Sequence, residues 1–262
     1  MRTLILFFLL GLAGTLSADP LLNPSFTFTA QTFEPLVAAV PEPYRDEILA
    51  HPKEFLEDYL PLLSLPNDLL VLVDKQHELP SDYAADDLVE LRWPRFAVNR
   101  KGLLFRKAYE PKLAALIAAS KKAGVQLTIA STYRSWDYQK NLFQAYANKD
   151  GLATAERYSA RPGRSQHQLG STLDFGSVTP EFAQTRAGRW VNEHAEEYGF
   201  SLSYPQGKED LTGYIWEPWH FRYMGKAACA VQKRWFGDLQ QELLLFNNSQ
   251  GDLLRAALKK AP

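Results

Sequence analysis

The stretch Ser165-Gln166-His167-Gln168-Leu169-Gly170-Ser171-Thr172-Leu173-Asp174, read together with Glu217-Pro218-Trp219-His220, decides how the chain is to be understood. His167 and Asp174 are separated by two helical turns, but Gly170, Ser171 and Thr172 between them disfavour a helix. Leu173-Asp174-Phe175 reads instead as a buried strand, with Gly170 allowing the bend that brings both polar side chains to one side. In the second cluster Pro218 argues against a helix interior, and the aromatic run to Tyr223 suits another strand. The pattern predicts an α+β fold: a small central antiparallel sheet flanked by helices, with extra helical segments at both ends.

The two clusters offer two imidazoles and two carboxylates. A hydrolytic zinc takes three protein ligands and keeps one position for water. His167, Asp174 and His220 can supply the three, which leaves Glu217 to handle a proton. Spacing alone leaves a second reading open, in which His167 is a loop residue, Asp174 a turn residue and His220 a satisfied core histidine. The helical H-E-x-x-H signature, which would have chosen between them, is absent.

Further blocks extend the pattern. Ser131-Thr132-Tyr133-Arg134-Ser135 with Gln139 precedes Pro162-Gly163-Arg164 and the first histidine cluster. Trp190, Tyr198-Gly199-Phe200, Tyr204-Pro205, Gly207-Lys208 and Thr212-Gly213-Tyr214 lead to Glu217-Pro218-Trp219-His220-Phe221-Arg222-Tyr223. From about Leu70 to Ala230 this ordered set resembles the VanY-type D-alanyl-D-alanine carboxypeptidases, whose relatives include L,D-carboxypeptidases. The resemblance implies one Zn2+ per chain on His167, Asp174 and His220, with the zinc site on the sheet. It implies Glu217 as general base and Arg134 as the cation beside the developing oxyanion, a role a fixed guanidinium suits. Gln139, Ser165 and Tyr204 then match substrate contacts, and Trp219 either walls the pocket or belongs to the core. Two positions depart from the family pattern: Gln166 replaces a common glutamate, and His194 a common asparagine.

Working outward, Met1 to Ala18 combines one basic residue, a short apolar run and a small-residue end, as a secretory signal peptide does. Its apolar run is too short to span a bilayer. Residues 19–66 form a helical and loop extension cut by Pro41, Pro43, Pro52 and Pro61. The zinc carboxypeptidase domain is expected over 67–236, opening with Leu69 to Lys75 as a strand. Glu110 to Gly124 reads as an amphipathic helix ended by a left-handed glycine. Val125 to Ala130 reads as a strand, and Ser135 caps a helix to about Asn148. Asp150 to Arg164 reads as a loop. Arg186 to Tyr198 should be a helix closed by Gly199, and Phe200 to Tyr204 a strand. Residues 237–262 form a helical tail of one or two pieces, interrupted at Asn247 to Asp252.

Composition narrows the function further. The formal net charge is −1 over 262 residues, so no basic face for nucleic acid is implied. Cys229 is the only cysteine and cannot form an intramolecular disulfide. No stretch after the leader is long and apolar enough to cross a membrane. An exported enzyme, periplasmic or associated with the cell wall, fits the peptidoglycan stem peptides that the resemblance implies as substrate. Release of the last D-alanine, an L,D-carboxypeptidase acting on shorter stems, and an inactive murein-binding module are the competing readings. Glu217 argues against the third, because a binder needs no general base.

Overall fold

The computed structural model describes residues 19–66 and 68–259. The proposed signal peptide lies outside them. At the centre is a five-stranded sheet in the order β2-β4-β5-β7-β6. Its strands are β2 (Ala97–Val98), β4 (Thr128–Ser131), β5 (Thr172–Phe175), β6 (Phe200–Leu202) and β7 (His220–Tyr223). All pairings are antiparallel except β2 with β4, which is parallel. A separate hairpin-like pair joins β1 (Leu88–Glu90) to β3 (Leu104–Arg106). The expected α+β architecture is present, with one parallel edge.

Strand alternation divides the sheet into two faces. Leu173, Phe175 and Phe221 point into one apolar core with Leu113, Leu116 and Ile117. Those last three come from α4 (Glu110–Lys122), whose end is set by Gly124 at φ +70°. Asp174 and His220, on the same strands, point to the opposite face. The α5 helix (Trp136–Asp150) starts where Ser135 Oγ accepts a bond from the Tyr138 N–H at 3.2 Å, as its cap position requires. Helix α7 (Arg186–His194) is capped by Thr185, continues as a 3₁₀ turn through Tyr198 and stops at Gly199, φ +86°.

A second core joins the N-terminal extension to the C-terminal helical tail. Helices α1 (Ala30–Val37), α2 (Tyr44–Ala50) and α3 (Pro52–Tyr59) come from the N-terminal extension. They pack with α9 (Lys226–Trp235) and α10 (Gln240–Ala256) around Phe55, Trp235, Phe236 and Phe246. Cys229 is buried on α9, and burial pushes its thiol pKa up, as suits a small apolar residue rather than a nucleophile.

Three local expectations are corrected. Leu69 to Lys75 is not a strand: the Arg222 guanidinium bonds the carbonyls of Leu69 and Val71, and Asn247 bonds that of Leu70, so side chains take the place of a ladder. Asp150 to Arg164 is not all loop, because Leu152–Tyr158 forms α6 against α5. The tail is one unbroken helix through Asn247 to Asp252. Asn247 faces inward to Tyr59 and the Leu70 carbonyl, and Gly251 is buried, so tertiary contacts outweigh the helix-breaking composition.

Candidate active site

Three elements deliver the predicted ligands to one point. His167 sits on a 3₁₀ turn, Gln166–Leu169, where Ser165 Oγ accepts from the His167 N–H at 3.3 Å. Gly170 ends that turn at φ +72°, and the chain enters β5 directly. Asp174 of β5 and His220 of β7 are direct partners in the antiparallel register. Their side chains and that of His167 are buried, with one ligand atom from each within 4.8 Å of the others.

The hydrogen-bond pattern defines the donor set. His167 Nδ1 lies 2.7 Å from the Thr132 carbonyl, which can only accept, so Nδ1 carries the proton. The Nε2 lone pair therefore faces Asp174 Oδ2, 3.3 Å away, with no hydrogen bond between them. Asp174 Oδ1 is likewise buried without a hydrogen-bond partner, 3.3 Å from His220 Nδ1. His167 Nε2 and Asp174 Oδ2, two acceptors turned toward one another at a buried point, suit a cation between them. Two imidazoles and one carboxylate are a donor set that zinc takes in hydrolytic sites. These residues fit a divalent metal.

Electrostatics agree with the geometry. Burial, helped by the nearby Arg134 charge, holds His167 down to about 4, so its imidazole is neutral at neutral pH. Burial acts to raise Asp174, but His167 and His220 outweigh it and keep it well below the usual carboxylate range. His220 is raised, because Asp174 and Glu217 outweigh its burial. Glu217 is raised, chiefly by burial, and its Oε2 lies 3.3 Å from His220 Nδ1. Glu217 occupies the turn before β7, where its N–H donates to the Tyr204 carbonyl at 3.0 Å.

The other predicted residues fall around this point. Arg134 donates to Asp174 Oδ2 at 3.2 Å, to Gln139 Oε1 at 3.0 Å and to Ser131 Oγ at 3.2 Å. Ser165, Tyr204 and Trp219 line an open cleft of about 460 Å³ that also reaches Arg134, His167, Asp174, Glu217 and His220. The Tyr204 ring stands 4.7 Å from that of His220. Gln139 is buried and lies outside the cleft lining, its amide shared between Arg134 and the Ala160 carbonyl. It therefore reaches a ligand only through Arg134. His194 is away from the cleft, paired with Glu197.

Residues without a role in the sequence analysis also shape the site. Tyr138 and Tyr146 of α5, Tyr158 of α6, and Tyr214 line the cleft. The first two are eight positions apart on α5, a helical spacing that could have marked a common face. The Thr132 carbonyl has no side-chain signature and could not have been found that way.

A family model described as "VanY: D-alanyl-D-alanine carboxypeptidase" matches residues 102–226. The solved LdcB LD-carboxypeptidase is 33% identical, with a TM-score of 0.60 over 74% of this chain and 88% of that one. The chain belongs to the VanY family. A point mutant of VanY, a D,D-pentapeptidase from a VanB-type resistance cassette solved in complex with Zn(II), is 28% identical. It superposes with a TM-score of 0.57 over 68% of this chain and 99% of that one. YodJ of Bacillus subtilis (strain 168) is 38% identical over 182 residues, 66% of each protein. The curated relatives are matched over 54–66% of their own lengths. The stretch matched by the family model ends in α9 and leaves out α1 to α3 and α10.

Proposed function

We propose that this VanY-family protein is a zinc-dependent carboxypeptidase that removes the C-terminal D-alanine from peptidoglycan stem peptides. The observation that carries the reading is the buried trio of His167, Asp174 and His220, whose facing acceptor atoms call for a cation, with Glu217 beside them on an open cleft. Family membership, and the Zn(II) bound by the related VanY, support zinc as that cation.

When bound, zinc supplies Lewis-acid polarisation of the scissile carbonyl and lowers the pKa of water at the site. His167, Asp174 and His220 hold it. Glu217 accepts the proton of the attacking water on a carboxylate oxygen and returns it to the leaving amine. Burial raises its pKa, in the direction that makes a carboxylate a better proton acceptor. Arg134, aimed by Gln139 and Ser131, places a fixed positive charge where the oxyanion develops. Ser165, Tyr204 and Trp219 contact the peptide along the cleft. Residues 1–18 act as a signal peptide, which places the mature enzyme in the periplasm or at the cell wall, with its substrate. Residues 67–236 form the catalytic domain between the two helical extensions.

An L,D-carboxypeptidase is the second reading, favoured by the fit to the LdcB LD-carboxypeptidase. Purified protein incubated with defined pentapeptide and tetrapeptide stems separates the two. Release of D-alanine from the pentapeptide alone is expected. Release from the tetrapeptide alone selects the second reading, and release from neither leaves a murein-binding module.

A further inference from the structure

Behind His220, away from the cleft, lies a buried set of amides that the ligand geometry does not use. Gln240 of α10 donates from Nε2 to the Ser201 carbonyl at 3.3 Å. A carbonyl can only accept, so this bond fixes which end of the Gln240 amide faces the other way. Gln240 Oε1 then faces Gln166, whose Nε2 donates to it at 3.1 Å. That in turn directs Gln166 Oε1 toward two groups: Ser203 Oγ, which donates at 2.7 Å, and His220 Nε2 at 3.4 Å. Gln166, Ser201, Ser203 and Gln240 are all at most 3% exposed, so water does not compete for these bonds.

We propose that Gln240 and Gln166 form a one-way hydrogen-bond relay that fixes the proton of His220 on Nε2 and so presents Nδ1 to the metal. The direction starts at a backbone oxygen and cannot be reversed without setting two acceptors against each other. Gln240 is a positioning residue supplied by α10, outside the stretch that the family model covers. A glutamine at 166 suits this arrangement. It must donate to Gln240 while accepting from His220, and a carboxylate there cannot donate. Partners on the far nitrogen of a ligating histidine set its tautomer and ring orientation, and their loss typically weakens metal binding 10- to 100-fold.

The proposal rests on His220 being a metal ligand, and the test separates the two claims. Zinc affinity is measured by competition with a chromophoric chelator, and the His220 nitrogens are assigned by 15N NMR of the zinc-loaded protein. Wild type should bind zinc and show Nε2–H with Nδ1 on the metal. Gln240→Met should weaken zinc about 10-fold and Gln166→Met up to about 100-fold, both with a broadened or mixed His220 signal. Gln241→Met is the control. It removes a 2.8 Å bond to Asp74 from the same helical turn without touching the relay, and should leave both readouts unchanged. If wild type takes up no zinc, the metal reading itself fails. If wild type binds zinc but Gln240→Met matches it in affinity and spectrum, the relay is overturned. An equal loss in Gln241→Met overturns it too, since α10 docking alone would then explain the effect.

Discussion

Asp174 and His220 stand directly opposite each other across the β5–β7 pair, with Oδ1 and Nδ1 3.3 Å apart. Opposed side chains in an antiparallel pair have their Cβ atoms about 5 Å apart, close enough for both to reach one cation. His167 enters the same point from the turn before β5. The sheet register therefore sets the geometry of the site.

Glu217 is assigned to proton transfer rather than to holding the metal. Glu217→Ala should retain zinc at close to one equivalent per chain while turnover falls by about 100- to 10,000-fold. Metal analysis beside D-alanine release checks both halves. Full turnover in the variant would remove the general-base role, and loss of zinc would make Glu217 a ligand.

Zinc affinity should depend on pH in a defined direction. In the metal-free protein His220 titrates above its ordinary 6.5, because Asp174 and Glu217 outweigh its burial. Zinc must displace that proton. Affinity is therefore full above the raised value and declines as pH falls through it, by about tenfold per pH unit for one displaced proton. His167, held at about 4, adds a second proton only in strong acid. Isothermal titrations between pH 5 and pH 9, a span chosen as roughly the range in which histidines titrate, give the slope. A flat profile would contradict the arrangement.

Gly170 gives the bend between His167 and β5. Its φ is +72°, and a Cβ there would lie 2.9 Å from Leu88 Cδ2 and 3.1 Å from Arg106 Cγ. Gly170→Ala should cost about 1–2 kcal/mol from the left-handed backbone alone, with more from the crowding. Denaturant unfolding measures the loss, and zinc content should fall with it as His167 is displaced.

The second core ties the N-terminal extension to the end of the chain. Phe55 is fully buried, with its ring about 5.6 Å from those of Tyr59, Trp235 and Phe246. Phe55→Ala should destabilise by about 3–5 kcal/mol. Because α9 joins this core to β7 and the sheet, fluorescence and circular dichroism should report a single shared transition at lower denaturant. Separate transitions would show that the extension folds independently.

Side-chain chemistry that acts within a few residues was legible in the sequence. Ser135 as a cap, Gly124 and Gly199 as helix ends, and the bend at Gly170 all follow from local backbone preferences. His167, Asp174, His220 and Glu217 stood out as candidates because few residue types can hold a metal or move a proton, but spacing alone left a loop-and-core reading open and the family resemblance chose between the two. Only the tertiary structure decided who meets whom. The register opposes Asp174 to His220, the Thr132 carbonyl fixes the His167 proton, Gln139 is buried behind Arg134, and α10 runs unbroken to bring Gln240 behind the site. Those outcomes depend on strand pairing, burial and backbone acceptors brought together from distant parts of the chain, and a backbone carbonyl is the same at every position in a sequence.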